Sequence, residues 1–309
     1  MAYPERFHQL AKKVNNWGRW GPDDEIGTVN LITPEVRRRA AACARTGRAF
    51  SLALPLSEAE GIQTGVLPGR INPVRAMVQL NTPLTGDPAE FCSSDDMVVM
   101  GLQAATHWDG LGHVSYEGRL YNGNDASSVT AFGASVCGIH KIRTLVTRGV
   151  LLDVARALGT TRLDGGYAIT ATDLDAAEAQ AGVEVVAGDV DLVRTGQMEL
   201  LARGDKAGYG APSPGLSTMT VEWFHDRDVA AVATDTLTFE VWPGEDDATI
   251  LPVHLLHLVE MGMTQGQNFV LDELAEDCAR DGVHEFLLEA SPQPFTGATG
   301  SPVNPVAVK

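Results

Sequence analysis

Apolar positions along this chain fall in short runs separated by turn residues, a pattern of strands and modest helices mixed without strict alternation. Thr33-Pro34-Glu35 supplies an N-cap, a proline at the first helical position and an acid in the first turn, which predicts a helix to about Thr46 with Gly47 as its stop. Phe50 to Leu54 alternates and predicts a strand. Residues 57–96 have little periodicity and many Pro, Gly, Asn and Asp residues, which predicts a long functional loop. The apolar run Met97–Leu102 predicts a buried strand, as do Val150–Asp153 and Val229–Thr234. Val183–Val186 and Asp189–Val193 predict further strands, with Arg194-Thr195-Gly196 as a turn. Helices are predicted from Thr172 to Ala181, ending at Gly182, over Glu222–Asp226, over Val253–Met261, and from a cap at Asp272 to about Gly282. Trp17 and Trp20 pin an ordered loop over residues 15–31, and the tail after Glu289 is Pro- and Gly-rich. The expectation is an α/β fold: one domain over residues 1–309 with a mixed β-sheet flanked by helices, residues 1–96 serving as an arm or oligomer contact.

Composition narrows the function. The 309 residues are 44% hydrophobic and 20% charged, which suits a globular core. A net charge of −17 without any basic run excludes nucleic acid and anionic membrane as partners. Cys43, Cys92, Cys137 and Cys278 are widely spaced, as expected of reduced, buried thiols in a cytoplasmic protein. No signal peptide is visible, and no run of about 18 apolar residues predicts a membrane span.

The chemistry concentrates in Thr106-His107-Trp108-Asp109-Gly110-Leu111-Gly112-His113. In an extended segment His107 and Asp109 project to the same side and could grip one cation, with His113 folding back beyond the glycines. Imidazole and carboxylate suit zinc or manganese, and such an ion sharpens a bound water. The bland alternative is a set of histidines satisfied by backbone carbonyls. His254 and His257 share one face of an apolar helix, as ligand or core residues; His8, His140, His225 and His284 read as surface or structural. No GxSxG elbow, dinucleotide fingerprint or P-loop occurs. Trp108, Tyr116, Tyr121 and Phe91 are candidates for an aromatic pocket, or for core.

The segment from Gln103 to His113 resembles the H-x-G-T-H-x-D-x-x-x-H signature of the cyclase family, which includes bacterial kynurenine formamidase, isatin hydrolase and a dienelactone hydrolase. Further blocks look similar in order: Gly149–Asp153, Gly188–Gly196, Pro214–Ser217, Ala233–Asp235, Pro252–His254 and Thr299–Pro305. The resemblance implies a swivelling β/α fold and a metal-dependent hydrolase of an amide or lactone. It implies His107, Asp109 and His254 as metal ligands and His113 as general base. Two positions depart from the signature. Gln103 stands at its first histidine, and Gln267 stands where a late glutamate ligand falls. One divalent ion, zinc or manganese, held by His107, Asp109 and His254 with Gln103 and Gln267 completing the shell, is therefore expected rather than two. A small-molecule substrate and a homodimer or homotetramer are expected too. The rival expectations are a metal-depleted scaffold on the same fold, or a hydratase or cyclase using the same site.

Overall fold

The computed structural model describes residues 3–63, 69–245 and 248–309. Residues 64–68, inside the predicted long loop, lie outside the described residues. Eleven strands position the rest of the fold: β1 (Ala49–Ser51), β2 (Val74–Met77), β3 (Asp96–Val99), β4 (His107–Asp109), β5 (Val146–Asp153), β6 (Val190–Arg194), β7 (Ala231–Thr234), β8 (Gln265–Gln267), β9 (Glu285–Glu289), β10 (Gly300–Pro302) and β11 (Val306–Val308). Nine of them form one mixed sheet in the order β1-β11-β9-β5-β6-β7-β8-β4-β10. The central run β5-β6-β7-β8 is parallel, and the pairs outside it are antiparallel.

Strands buried on both faces read as continuous apolar runs, and Val150-Leu151-Leu152 and Ala231-Val232-Ala233 do so because helices cover both sides of the sheet. One face carries Val150, Leu152, Val193 and Val232 beneath helices Ala171–Ala181, Val221–Asp226 and the segment Pro252–Met261. The other carries Leu151, Leu192, Ala231 and Ala233 beneath Pro34–Ala41 and Asp272–Asp281. The start of Ala171–Ala181 is fixed by a reciprocal capping box between Thr170 and Asp173, and its end by Gly182 in the left-handed region. Thr33 caps Pro34–Ala41 as expected, through Val36 N–H. That helix stops short of Thr46, because Thr46 and Gly47 turn away to donate to the Lys309 carbonyl.

Several elements differ from expectation. Residues 74–99 are no loop: β2 and β3 form an antiparallel ribbon, continued by Thr82–Pro83 against Cys92–Ser93. Of the apolar run Met97–Leu102, Met97 to Val99 belong to this ribbon and are exposed, and Met100 to Leu102 lie beyond the strand and are half-buried. Val183–Val186 is irregular, since Val185 and Val186 N–H groups go to Glu178 and Asp189 side chains instead of a strand partner. Leu255–Met261 is wound as a π-helix continuing the α-turn Pro252–His254. The Gly- and Pro-rich tail supplies two strands, β10 and β11, one at the edge of the sheet beside β4. Cys43, Cys137 and Cys278 are buried thiols, while Cys92 is half-buried on the ribbon. No helix of the described residues is long and apolar enough to cross a membrane.

Candidate functional site

Strand β4 is only three residues long, yet every one of them is buried. Trp108 points to the face of the sheet where Phe269 meets it edge-on, and its indole N–H donates to the Ala290 carbonyl at 2.8 Å. Alternation then turns His107 and Asp109 to the opposite face. Gly266, opposite Trp108 in register, has to be glycine: a Cβ there would stand 2.8 Å from the indole ring and 2.7 Å from Ala233. Beyond β4 the chain turns through Gly110 to His113, held by Gly110 N–H to the Thr299 carbonyl and Gly112 N–H to the Cys137 carbonyl. This turn brings His113 Nε2 to 3.6 Å from Asp109 Oδ1, and His107 Nε2 lies 3.5 Å from the same oxygen. His113 keeps 20% of its side chain exposed, whereas His107 and Asp109 keep none, so the cluster opens to solvent at His113.

The tautomer of His107 is set from behind. Its Nδ1 sits 2.7 Å from the Ala105 carbonyl, which also accepts from Asn268 Nδ2 at 3.0 Å, and Asn268 Oδ1 accepts from the Tyr209 hydroxyl at 2.7 Å. With Nδ1 donating, His107 Nε2 presents a lone pair to a carboxylate oxygen. Both atoms, His107 Nε2 and Asp109 Oδ1, are buried without a hydrogen-bond partner. Two facing acceptors in a dry site call for a cation or a proton between them. Burial pushes the Asp109 carboxyl up, but His113, His107 and His254 outweigh it and hold Asp109 below the usual carboxylate range. Burial pushes the His113 imidazole down, against the opposing pull of Asp109.

His254 reaches the site from the helical segment above the sheet. Glu240 fixes it: Oε1 accepts from His254 Nδ1 at 2.5 Å and from His254 N–H at 2.9 Å, and Oε2 accepts from Val253 N–H at 3.0 Å. The carboxylate thus caps the helix start and leaves His254 Nε2 as an acceptor. Gln267, on β8 opposite His107, fills the space between: its Nε2 donates to Asp109 Oδ2 at 2.7 Å and stands 3.2 Å from His254 Nε2. Gln103 packs its amide against Gly300, opposite Asp109 in register, where a Cβ would meet Nε2 at 2.4 Å. Among the described residues, no three His, Cys, Asp or Glu side chains form a ready-made metal cage. The orphaned pair His107 and Asp109, with His113 beside it, nevertheless has the donor chemistry for one divalent ion, and Gln267 takes the far side.

His257 does not join this group. Its ring packs edge-on against Phe224 and Phe239, and both ring nitrogens are buried without partners. Trp108 and Tyr121 are core residues, and Phe91 is exposed on the ribbon, so they do not line a common pocket. His284 is buried just before β9, where its carbonyl accepts from Leu151 N–H, and His140 Nδ1 accepts from Gly297 N–H. Sequence reasoning missed Glu240, Asn268 and Arg70. Arg70 is half-buried and makes no hydrogen bond or ion pair among the described residues. Its charge bears on both Asp109 and His113, and burial lowers its own affinity for a proton. An isolated arginine carries no sequence signal for this position, and Glu240 lies more than a hundred residues from the signature.

The sequence matches the family model "Cyclase" over residues 26–241. No curated protein matches it significantly. A solved structure described as a novel cyclase is 37% identical, with a TM-score of 0.87, covering 96% of this chain and 100% of that one. Isatin hydrolase A from Ralstonia solanacearum shares 21% identity at a TM-score of 0.61, covering 89% of this chain and 97% of that one. A protein from Bacillus stearothermophilus described as a predicted metal-dependent hydrolase shares 15% identity at a TM-score of 0.52, covering 84% and 97%. The fold, the β4 cluster and these matches lead to one statement: the chain belongs to the cyclase family.

Proposed function

We propose that this protein is a metal-dependent hydrolase that opens a C–N amide or a lactone ester of a small carbonyl compound. The observation that carries the reading is the pair of buried, unsatisfied acceptors, His107 Nε2 and Asp109 Oδ1, facing each other at 3.5 Å. A divalent ion bound there would supply a water of lowered pKa and polarise the substrate carbonyl. His107 and Asp109 would hold it, with His254 and Gln267 on the far side. His113, at the open end of the cluster, takes the proton from the attacking water and returns it to the departing nitrogen or oxygen. Arg70, whose charge bears on Asp109 and His113, would meet the negative charge that develops on the carbonyl oxygen and remains on the product carboxylate. Neighbours of the same fold described as isatin hydrolase and as a metal-dependent hydrolase support a hydrolytic reaction.

The test is metal analysis of gently purified protein, with turnover of lactones, formamides and cyclic imides before and after added zinc or manganese. One ion per chain and metal-stimulated turnover that His107→Ala abolishes are expected. Absence of both the ion and the stimulation would remove the reading.

One observation favours a second reading, a metal-free binding protein on the same fold: the Gln267 amide already satisfies Asp109 Oδ2 and faces His254 Nε2. Calorimetric titration with zinc and manganese separates the two. Equal, negligible heats for the natural chain and His107→Ala would select the scaffold.

A further inference from the structure

Strand β8 reads Gln265-Gly266-Gln267, and alternation divides it between the two faces of the sheet. Gly266 lies against Trp108, so both glutamines share the face that carries His107 and Asp109. In register, Gln267 stands opposite His107 and Gln265 opposite Asp109. The second pairing is pinned by the Thr264 hydroxyl, which donates to the Asp109 carbonyl. Directly opposite residues of an antiparallel pair hold their Cβ atoms about 4.5–5.5 Å apart, a distance that a glutamine side chain covers. On its other side Gln265 pairs with Val232, which belongs to the apolar core beneath the segment Pro252–Met261. Gln265 is fully buried, and among the described residues neither Oε1 nor Nε2 has a partner. Buried amides are normally paired. The other two amides near the cluster are placed differently: Gln267 Nε2 donates to Asp109 Oδ2, and Gln103 packs against Gly300. Gln265 Oε1 therefore joins His107 Nε2 and Asp109 Oδ1 as a third orphaned acceptor at neighbouring positions of one face.

We propose that Gln265 is a further ligand of the divalent ion, offering its amide oxygen beside Asp109. The inference rests on the metal-dependent reading above, and it adds a hard, neutral oxygen to a set of imidazoles and one carboxylate. Manganese takes about six donors and favours oxygen, whereas zinc is satisfied by about four and accepts imidazole nitrogen readily. An amide oxygen at this position tunes the site toward manganese.

Competition calorimetry with manganese and with zinc, on the metal-free natural chain and two variants, tests this alongside thermal melts of each metal-free protein. Gln265→Leu suits the apolar side of the row and should melt no lower than the natural chain. Its manganese affinity should fall on the order of tenfold or more, while its zinc affinity changes by less than about threefold. Gln265→Glu should act in the opposite sense, binding manganese about tenfold more tightly or better. Without metal it should melt lower than the natural chain, because two carboxylates then face each other across β8 and β4. Unchanged manganese affinity in Gln265→Leu, or equal losses for the two ions, overturns the proposal. So does a Gln265→Glu that binds manganese no more tightly. Each of those results leaves the metal-dependent reading standing, whereas a natural chain that binds neither ion removes both.

Discussion

The amide nitrogen of Gln267 donates to Asp109 at 2.7 Å, on the carboxylate oxygen that points away from His107. Its second proton faces His254 Nε2 at 3.2 Å. One NH₂ group therefore does for two acceptors what a second cation would do. Gln267→Glu should reverse this. Two carboxylates would then face each other in a dry site, costing about 2–4 kcal/mol of stability without metal. The same change creates a second ion position between Glu, Asp109 and His254. Denaturant unfolding with and without manganese, together with calorimetric stoichiometry, checks both halves: weaker than the natural chain when metal-free, and two ions per chain instead of one.

Glu240 holds the other wall. It accepts from His254 Nδ1 and from the N–H groups of Val253 and His254, all buried. Glu240→Ala leaves three donors unpaired, a loss of about 3–5 kcal/mol by urea unfolding. It also frees the His254 ring to rotate, which should weaken metal affinity about 10–100-fold. Glu240→Gln, which keeps one acceptor oxygen, should recover part of both.

The β4 cluster was legible because its information is local: a three-residue strand fixes His107 and Asp109 on one side, and two glycines return His113. Gln267 entered only through resemblance to a signature, since nothing near it in the chain marks it, and His254 stood with His257 as ligand or core residue on an apolar helix until that resemblance singled it out. Glu240, Asn268 and Arg70 act through partners across the fold and leave no local pattern. The ribbon misled for a physical reason. Met97-Val98-Val99 has the composition of a buried strand, yet it lies in a two-stranded ribbon where all three residues stay about half exposed. The tail was opaque because β10 and β11 are three residues each and stand among prolines.

Asp191 sits mid-sheet between Val150 and Val232, fully buried, with neither carboxylate oxygen paired. Burial, with Asp189 and Glu178 adding, raises its pKa well above the ordinary aspartate value. A carboxyl that holds its proton more tightly when folded favours the native state below about pH 4, and that contribution is lost as pH rises toward the native pKa. Asp191→Val matches its neighbours in shape. It should stabilise the protein by about 2 kcal/mol at neutral pH and less at pH 4, measured as a shift in the urea midpoint. Destabilisation at pH 7 would mean that the carboxyl has a partner in solution.

His257 gives the opposite slope. Enclosed by Phe224 and Phe239, with both nitrogens unpaired, it is pushed down to about 3 by burial, with His254 adding to the effect. In the unfolded chain it titrates near its ordinary value of 6.5. The unfolded state therefore takes up a proton first as pH falls, so the native state keeps its full advantage above pH 6.5 and loses it progressively between 6.5 and 3. The shift corresponds to at most about 5 kcal/mol over that window. His257→Phe removes the titrating group and keeps a ring between its aromatic neighbours. Thermal melts at pH 7, 5.5 and 4.5 should show the natural chain losing Tm steadily while the variant loses much less. Parallel loss in both would assign the acid sensitivity elsewhere.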